Sequence, residues 1–301
     1  AILAAHENNY QVLAEAANLE ATKTSKPRAW AGFLPTVTSS ATYQRTEFKY
    51  PETLGTSSTS TTRDRQLYNL TVTQPIFNGG RTYAEIQSSN HSINSGAARY
   101  KSVSNEISLN SVNAFSALNT QDEIYQLNVK NEKVIDEHLR LTKTRFDLGE
   151  VTKTDISQAK ARLANATADK VRAAGEVVAA EALFERVTGL KAPADIEEIT
   201  LNNIAIPTNF DELLHVTMQN NPNIISAKEN HKVAKNNVLI QTSSVLPQVS
   251  ATANLTRSDL PTNSFNTTDN DTYALNVSIP IFQSGAEYTN IVQAKHQAKS
   301  A

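Results

Sequence analysis

No proline occurs between Pro75 and Pro193, and that absence governs what the middle of the chain can become. A proline inside a helix costs about 3 kcal/mol, so a long stretch free of it and rich in Ala, Glu, Lys, Gln and Leu can be helical. Apolar residues recur there at steps of seven: Ile86, Ile93, Tyr100, Ile107 and Ala114, then Leu127, Val134, Leu141 and Leu148. Beyond Gly149 the same step gives Ile156, Leu163, Val177 and Phe184, broken only by Lys170. A sustained heptad predicts helices in coiled-coil contact. A second row, Ala159, Ala166, Ala173 and Ala180, is small enough to let helices approach closely. The spacing predicts a helix from Arg81 to Leu148, ~100 Å long at the α-helical rise. Gly149 breaks it, Thr152 or Thr154 caps the helix that returns, and Gly189 ends that one. A long antiparallel helical hairpin over 79–188, with its tip at 147–155, is the expected form.

The flanking segments alternate instead. Val37, Ala41 and Tyr43 oppose Thr36, Thr38, Ser40 and Thr42; Tyr68, Leu70 and Val72 oppose Asn69, Thr71 and Thr73. Val249, Ala251, Ala253 and Leu255 oppose Ser250, Thr252, Asn254 and Thr256. Tyr273, Leu275, Val277 and Ile279 oppose Thr272, Ala274, Asn276 and Ser278. Each segment is read as a strand of roughly 8–10 residues, the length of a tilted membrane strand. A soluble sandwich alternates too, but its polar faces usually carry Lys and Glu. Here they carry Thr, Ser and Asn, as the wet lumen of a pore would. The polar stretches 46–65 and 257–271 read as long exposed loops. Trp30 either joins an interfacial aromatic girdle or packs with Phe33 at a helix–strand corner.

The pattern occurs twice. Residues 71–80, TVTQPIFNGG, match residues 276–285, NVSIPIFQSG; Asn9 matches Asn221, and Leu34-Pro35 matches Leu246-Pro247. Such repetition settles the domain plan before any fold is named. The first repeat is 1–189, with a helix at 4–30, a β-hairpin at 36–75 and the helical hairpin at 79–188. An irregular equatorial connector covers 190–210. The second repeat is 211–301, with a helix at 211–244 capped by Asn209, a β-hairpin at 248–280 and the start of a long helix at 286–301. The strand–helix joints are Pro75, Phe77 and Gly80, and again Pro280, Phe282 and Gly285. At each joint Pro is expected to end ladder pairing, Ile-Phe to anchor the junction and Gly to turn the backbone from β to α. If the repeat holds, a second tip and a returning helix are missing, and the sequence is expected to be truncated in its second repeat.

Four amphipathic strands cannot close a barrel alone, because unpaired backbone in hydrocarbon costs several kcal/mol per group. Barrels start at about eight strands, so the chain is expected to assemble as a dimer or a trimer. A net charge of -2 leaves no electrostatic footprint for nucleic acid. Cys is absent, and the six His show no metal-ligand spacing. No nucleophile elbow, phosphate loop or dinucleotide fingerprint appears, so neither an enzyme nor a cofactor is expected.

In its tandem unit, its Leu-Pro strand entries, its Pro-Ile-Phe-x-x-Gly exits and its tip segment RFDLGEVTKTDISQAKARL (145–163), the chain resembles the TolC family of outer-membrane channel-tunnel proteins. The likeness runs over nearly the whole chain, carried by the order and spacing of these motifs. It implies an α+β membrane protein of the bacterial outer membrane that extends into the periplasm. A homotrimer would form a twelve-stranded β-barrel continued by an α-helical barrel of long coiled-coil helices. It implies an exit duct for drug efflux or type I secretion, with a periplasmic adaptor and an inner-membrane pump as partners and outer-membrane lipid around the strands. The tip Asp that helps hold the family's periplasmic entrance closed matches Asp155, with Arg145 beside it as the second candidate gate residue. The tip turn and adaptor-docking surface match Gly149, Glu150, Val151 and Thr152. The family often has an apolar residue directly after that Gly, where this chain has Glu150. Asp155 also reads as a second-turn acid favoured by the helix dipole. A soluble periplasmic coiled-coil adaptor is the alternative reading of the whole.

Overall fold

Threonine and β-branched residues at alternate positions build longer strands than their polarity suggests. In the computed structural model, which describes residues 2–50, 59–193, 209–260 and 266–301, β1 is Thr36–Tyr50 and β2 is Thr59–Asn78. Strand β3 is Gln248–Leu260 and β4 is Asn266–Ser278. The strands have 15, 20, 13 and 13 residues, so most of the stretches expected as loops at 46–65 and 257–271 is strand. Serine and threonine there are strand residues rather than loop residues, because Thr fits a pleated surface well. Residues 51–58 and 261–265 lie outside the described residues, as does most of the expected connector, 194–208.

The sheet is an antiparallel meander in the order β1-β2-β3-β4. Its central ladder joins the repeats, with Leu70 opposite Leu255 and Val72 opposite Ala253. Register places Val37, Val72, Ala253 and Tyr273 in one row on the apolar face. The other face holds itself together by side-chain hydrogen bonds across strands. Thr71 donates to Asn254 at 2.7 Å, Thr256 to Asn69 at 3.0 Å, and Asn276 to Thr252 at 3.1 Å.

The chain forms two compact units, residues 21–95 with 226–301, which contain the sheet, and residues 1–20 with 96–225. The expected opening helix is three pieces: α1 (Ile2–Asn8), α2 (Tyr10–Lys23) and α3 (Ser25–Trp30). Asn9 separates the first two, accepting from Gln11 N–H through its side chain at 2.9 Å. Next comes α4 (Arg81–Asp147), 67 residues in one helix, and then α5 (Lys153–Thr188), ended by Gly189 at φ 70°. A side chain at Gly189 would stand 2.7 Å from the Asn8 Cβ, so the chain needs glycine there for space as well as for backbone sign. Helices α6 (Phe210–Asn220) and α7 (Pro222–Thr242) lead into the second half of the sheet, and α8 (Ala286–Ser300) follows it. Asn209 caps α6 through Asp211 N–H at 3.0 Å. Among the described residues no helix is long and apolar enough to cross a membrane.

In the hairpin unit the four alanines Ala159, Ala166, Ala173 and Ala180 are buried, as the close-approach reading requires. Ala114, Leu118, Ala180, Phe184 and Val187 form one apolar cluster; fully burying a Leu such as Leu118 contributes about 2 kcal/mol. The heptad of Leu127, Val134, Leu141 and Leu148 behaves differently from expectation: all four are exposed, at 66, 66, 51 and 71 %. Helix α4 instead turns Leu118 and Leu139 inward. Two adjacent apolar stripes on one helix leave periodicity unable to say which faces α5, and the alanine row selects the one that packs closely. Lys170, the break in its own heptad, meets Glu132 of α4 at 2.5 Å, and Thr167 donates to the same carboxylate at 2.8 Å. Lys170 and then Thr167 hold that carboxyl below the usual glutamate value.

Candidate functional sites at the tip and the joints

The tip turn follows from one glycine and one threonine. Gly149, at φ 79°, donates to the Phe146 carbonyl at 2.9 Å, and Glu150 N–H reaches Arg145 O at 2.9 Å. Those paired bonds close α4 by a left-handed glycine C-cap. Thr152 then opens α5 in extended geometry, accepting from Asp155 N–H at 3.4 Å. Asp155 Oδ2 accepts in return from Thr152 N–H and from Thr152 Oγ–H, both at 2.7 Å. This reciprocal capping box places Asp155 in the first turn of α5, where the dipole reading had put it in the second. The Thr152 backbone and then its hydroxyl hold the Asp155 carboxyl below the usual aspartate range.

The two candidate gate residues are not brought together. Arg145 Nε lies 3.9 Å from Glu150 Oε2, a loose exposed pair, while Asp155 bonds to Thr152 and to no other of the described residues. Glu150 and Thr152 are exposed and Val151 is half-buried, so the turn presents mostly polar surface.

At the joints the two copies share a backbone and differ in their surroundings. Pro75 does not end ladder pairing as expected. It stays opposite Ser250, the register slips between Pro75 and Phe77, and Phe77 pairs with Val249 before β2 ends at Asn78. This is possible because β1 stops pairing at Thr73, so Pro75 lies past its first neighbour while β3 continues beside it. At the second joint β4 ends at Ser278, before Pro280 is reached, with β3 alongside. Gly79 and Gly80 have φ of 67° and 80°; Ser284 and Gly285 repeat this at 60° and 80°. The sequence reading marked Gly80 and Gly285 but missed the residue before each, although the Gly-Gly pair in the first copy was a visible signal. A Cβ on Gly79 would stand 2.6 Å from the Ser243 carbonyl oxygen. Asn78 adds a cap in this copy, its Oδ1 accepting from Thr82 N–H at 3.3 Å. Ile76, Phe77, Ile281 and Phe282 are exposed at 56, 49, 88 and 76 %, because the bulge and the strand end turn them away from the sheet's own contacts. Trp30 tilts against Phe33 at 6.0 Å and stays half exposed.

Below the first joint, α4 and α7 meet through polar groups. His91 Nδ1 lies 2.7 Å from Glu229 Oε2, Lys232 donates to Oε1 at 2.7 Å, and Ser95 Oγ–H reaches Asn230 Oδ1 at 2.7 Å. Burial pushes the Glu229 carboxyl up, but the bonds from Lys232, His91 and Asn94 outweigh it and leave it below the usual value. Periodicity missed this seam, because its signal is carried by polar residues.

A family model described as "Outer membrane efflux protein" matches residues 1–190 and 213–301. The chain is 22% identical over 304 residues to outer membrane efflux protein BepC of Brucella suis, covering all of this chain and 64% of BepC. It is 25% identical over 213 residues to alkaline protease secretion protein AprF of Pseudomonas aeruginosa, covering 67% of this chain and 44% of AprF. The chain thus spans less than two thirds of either relative. The crystal structure of the Campylobacter jejuni CmeC outer membrane channel superimposes with a TM-score of 0.83 at 17% identity, over 99% of this chain and 64% of that one. That likeness establishes the fold: helices and a four-stranded antiparallel sheet arranged as in such channels.

Proposed function

The chain belongs to the outer membrane efflux protein family, and from that premise we propose that it forms the wall of a passive outer-membrane exit duct reaching into the periplasm. The observation that carries this reading is the sheet. One face is apolar and exposed, with Tyr273, Leu275 and Val277 at 75, 66 and 59 %, and the other is lined by Thr, Ser and Asn. Among the described residues both edges are open, since β1 pairs there only with β2 and β4 only with β3. An open edge facing lipid is costly, so the edges call for further copies of the chain. The repeat suggests how: β4 of one copy meets β1 of the next as β2 meets β3 within the chain. Three copies supply a twelve-stranded barrel, and the exposed stripe Leu127, Val134, Leu141 and Leu148 then packs on neighbouring helices. A periplasmic adaptor docks at the Gly149–Thr152 turn and connects the duct to an inner-membrane pump. The cargo is drugs or proteins, in keeping with one relative named for efflux and another for protease secretion. A soluble adaptor would have no use for an exposed apolar sheet face.

The full-length protein, reconstituted in planar bilayers, is expected to give discrete conductance steps. Silence after verified insertion would defeat the conduit reading. In this reading Asp155 helps hold the periplasmic entrance closed. Replacing it by Ala is expected to raise conductance and antibiotic sensitivity, while Thr152→Ala, which removes the hydroxyl from the cap but keeps the carboxylate, leaves conductance unchanged. Equal effects of the two substitutions would reduce Asp155 to a helix cap.

A further inference from the structure

The ten charged residues of the described strands are sorted between the two faces of the sheet. Register and alternation put Arg45, Lys49 and Arg257 on the apolar face, near the end away from the helices. Glu47, Asp64, Asp259, Asp269 and Asp271 lie on that same face. Every cation there has a carboxylate close by: Arg45 binds Asp64 at 2.7 Å, Lys49 lies 3.7 Å from Glu47, and Arg257 lies 3.7 Å from Asp259. The polar face carries only Arg63 and Arg65, opposite Thr46 and Gln44, and no carboxylate among the described residues. Arg65 donates to Ser258 Oγ at 3.0 Å, which fixes it to the Thr/Ser/Asn face. Arg63 lies over the Phe48 ring, its guanidinium 5.6 Å from the centroid, on that same face.

Resting on the conduit reading, we propose that Arg63 and Arg65 form a basic collar at the outer end of a sheet face that carries no other charge among the described residues, and that this collar makes the barrel prefer anionic solutes. Two guanidinium groups two residues apart on one strand stand about 7 Å from each other, within a Debye length, so their fields add. Low-dielectric walls focus such a field into the lumen, and rings of arginine select anions in pores generally. The acidic excess sits on the opposite face, where Arg45, Lys49 and Arg257 partly neutralise it.

Reversal potentials of the full-length protein in planar bilayers under a KCl gradient test this. The expected result is a chloride-to-potassium permeability ratio above unity, falling to unity or below in the Arg63→Gln/Arg65→Gln double variant. Asp271→Asn, a charge change of the same sign as a gained cation but on the other face, is expected to leave the ratio unchanged. A cation preference in the unaltered channel, or a ratio that the double variant does not move, overturns the collar. An Asp271→Asn effect as large as that of the arginines overturns the assignment of faces. Absence of any conductance after verified insertion overturns the conduit reading, and the collar with it; open channels without anion preference overturn the collar alone.

Discussion

The two strand–helix joints share five of their ten residues, Pro-Ile-Phe among them, yet the first is the more enclosed by its own chain. At the first, Gly79 lies against the Ser243 carbonyl and Leu246, and Asn78 caps the helix through Thr82. At the second, Ser284 takes the same left-handed backbone while carrying a Cβ, and Gly285 caps α8 without a side-chain bond. The backbone transition is local and belongs to the sequence motif. Tolerance for a side chain depends on the neighbour, and the first joint has the second repeat beside it. A repeat in sequence therefore predicts equal dihedral angles, not equal packing.

The largest expected departure between the copies is at the glycine. Gly79→Ala combines a left-handed alanine with a backbone clash and is expected to cost about 3 kcal/mol or more, read as a fall in thermal midpoint. Ser284→Ala, where a Cβ already exists, is expected to stay within about 0.5 kcal/mol. Equal losses at the two positions would dissolve the distinction.

The seam below the joints should differ next. Glu229 falls where the first repeat has Ala17, so the charged cluster belongs to one copy only. Glu229→Ala removes the acceptor for His91, Asn94 and Lys232 and is expected to cost about 2 kcal/mol. The sign with pH follows from a carboxyl held low in the folded state. Its contribution is complete above the ordinary value of 4.5 and is lost as pH falls below that through the folded value. Protection factors of the α7 amides, their exchange taken relative to the unfolded chain at the same pH, should therefore fall in acid, and Glu229→Gln should flatten that dependence; protection that is insensitive to acid in the unaltered protein would count against the seam.

Smaller differences are expected at the matched asparagines. Asn9 and Asn221 each accept from the N–H two residues on, at 2.9 Å, but Asn9 also donates to the Val187 carbonyl at 3.0 Å. Asn9→Ala should cost about 1.5 kcal/mol and Asn221→Ala about 1 kcal/mol, measured by chemical denaturation. The cap differs as well: Asn78→Ala should cost about 1 kcal/mol, and Gln283→Ala at the matching place close to nothing. A larger loss at Gln283 would mean that the second joint has a partner like the first.

By itself the sequence determined the features that depend on neighbours along the chain. Absence of proline allowed one 67-residue helix, Gly149 and Thr152 marked the tip, alternation marked four strands, and the repeated motif marked two joints. These are local because backbone sterics and side-chain period act over a few residues. Tertiary structure alone decided which of two heptad stripes faces α5, since Leu118 and Leu127 are equally apolar and only packing on the alanine row separates them. It alone kept Pro75 in the ladder, because β3 runs past the end of β1. Only the folded chain shows Gly79 to be indispensable where Ser284 suffices, because a missing Cβ matters only when another segment occupies its place.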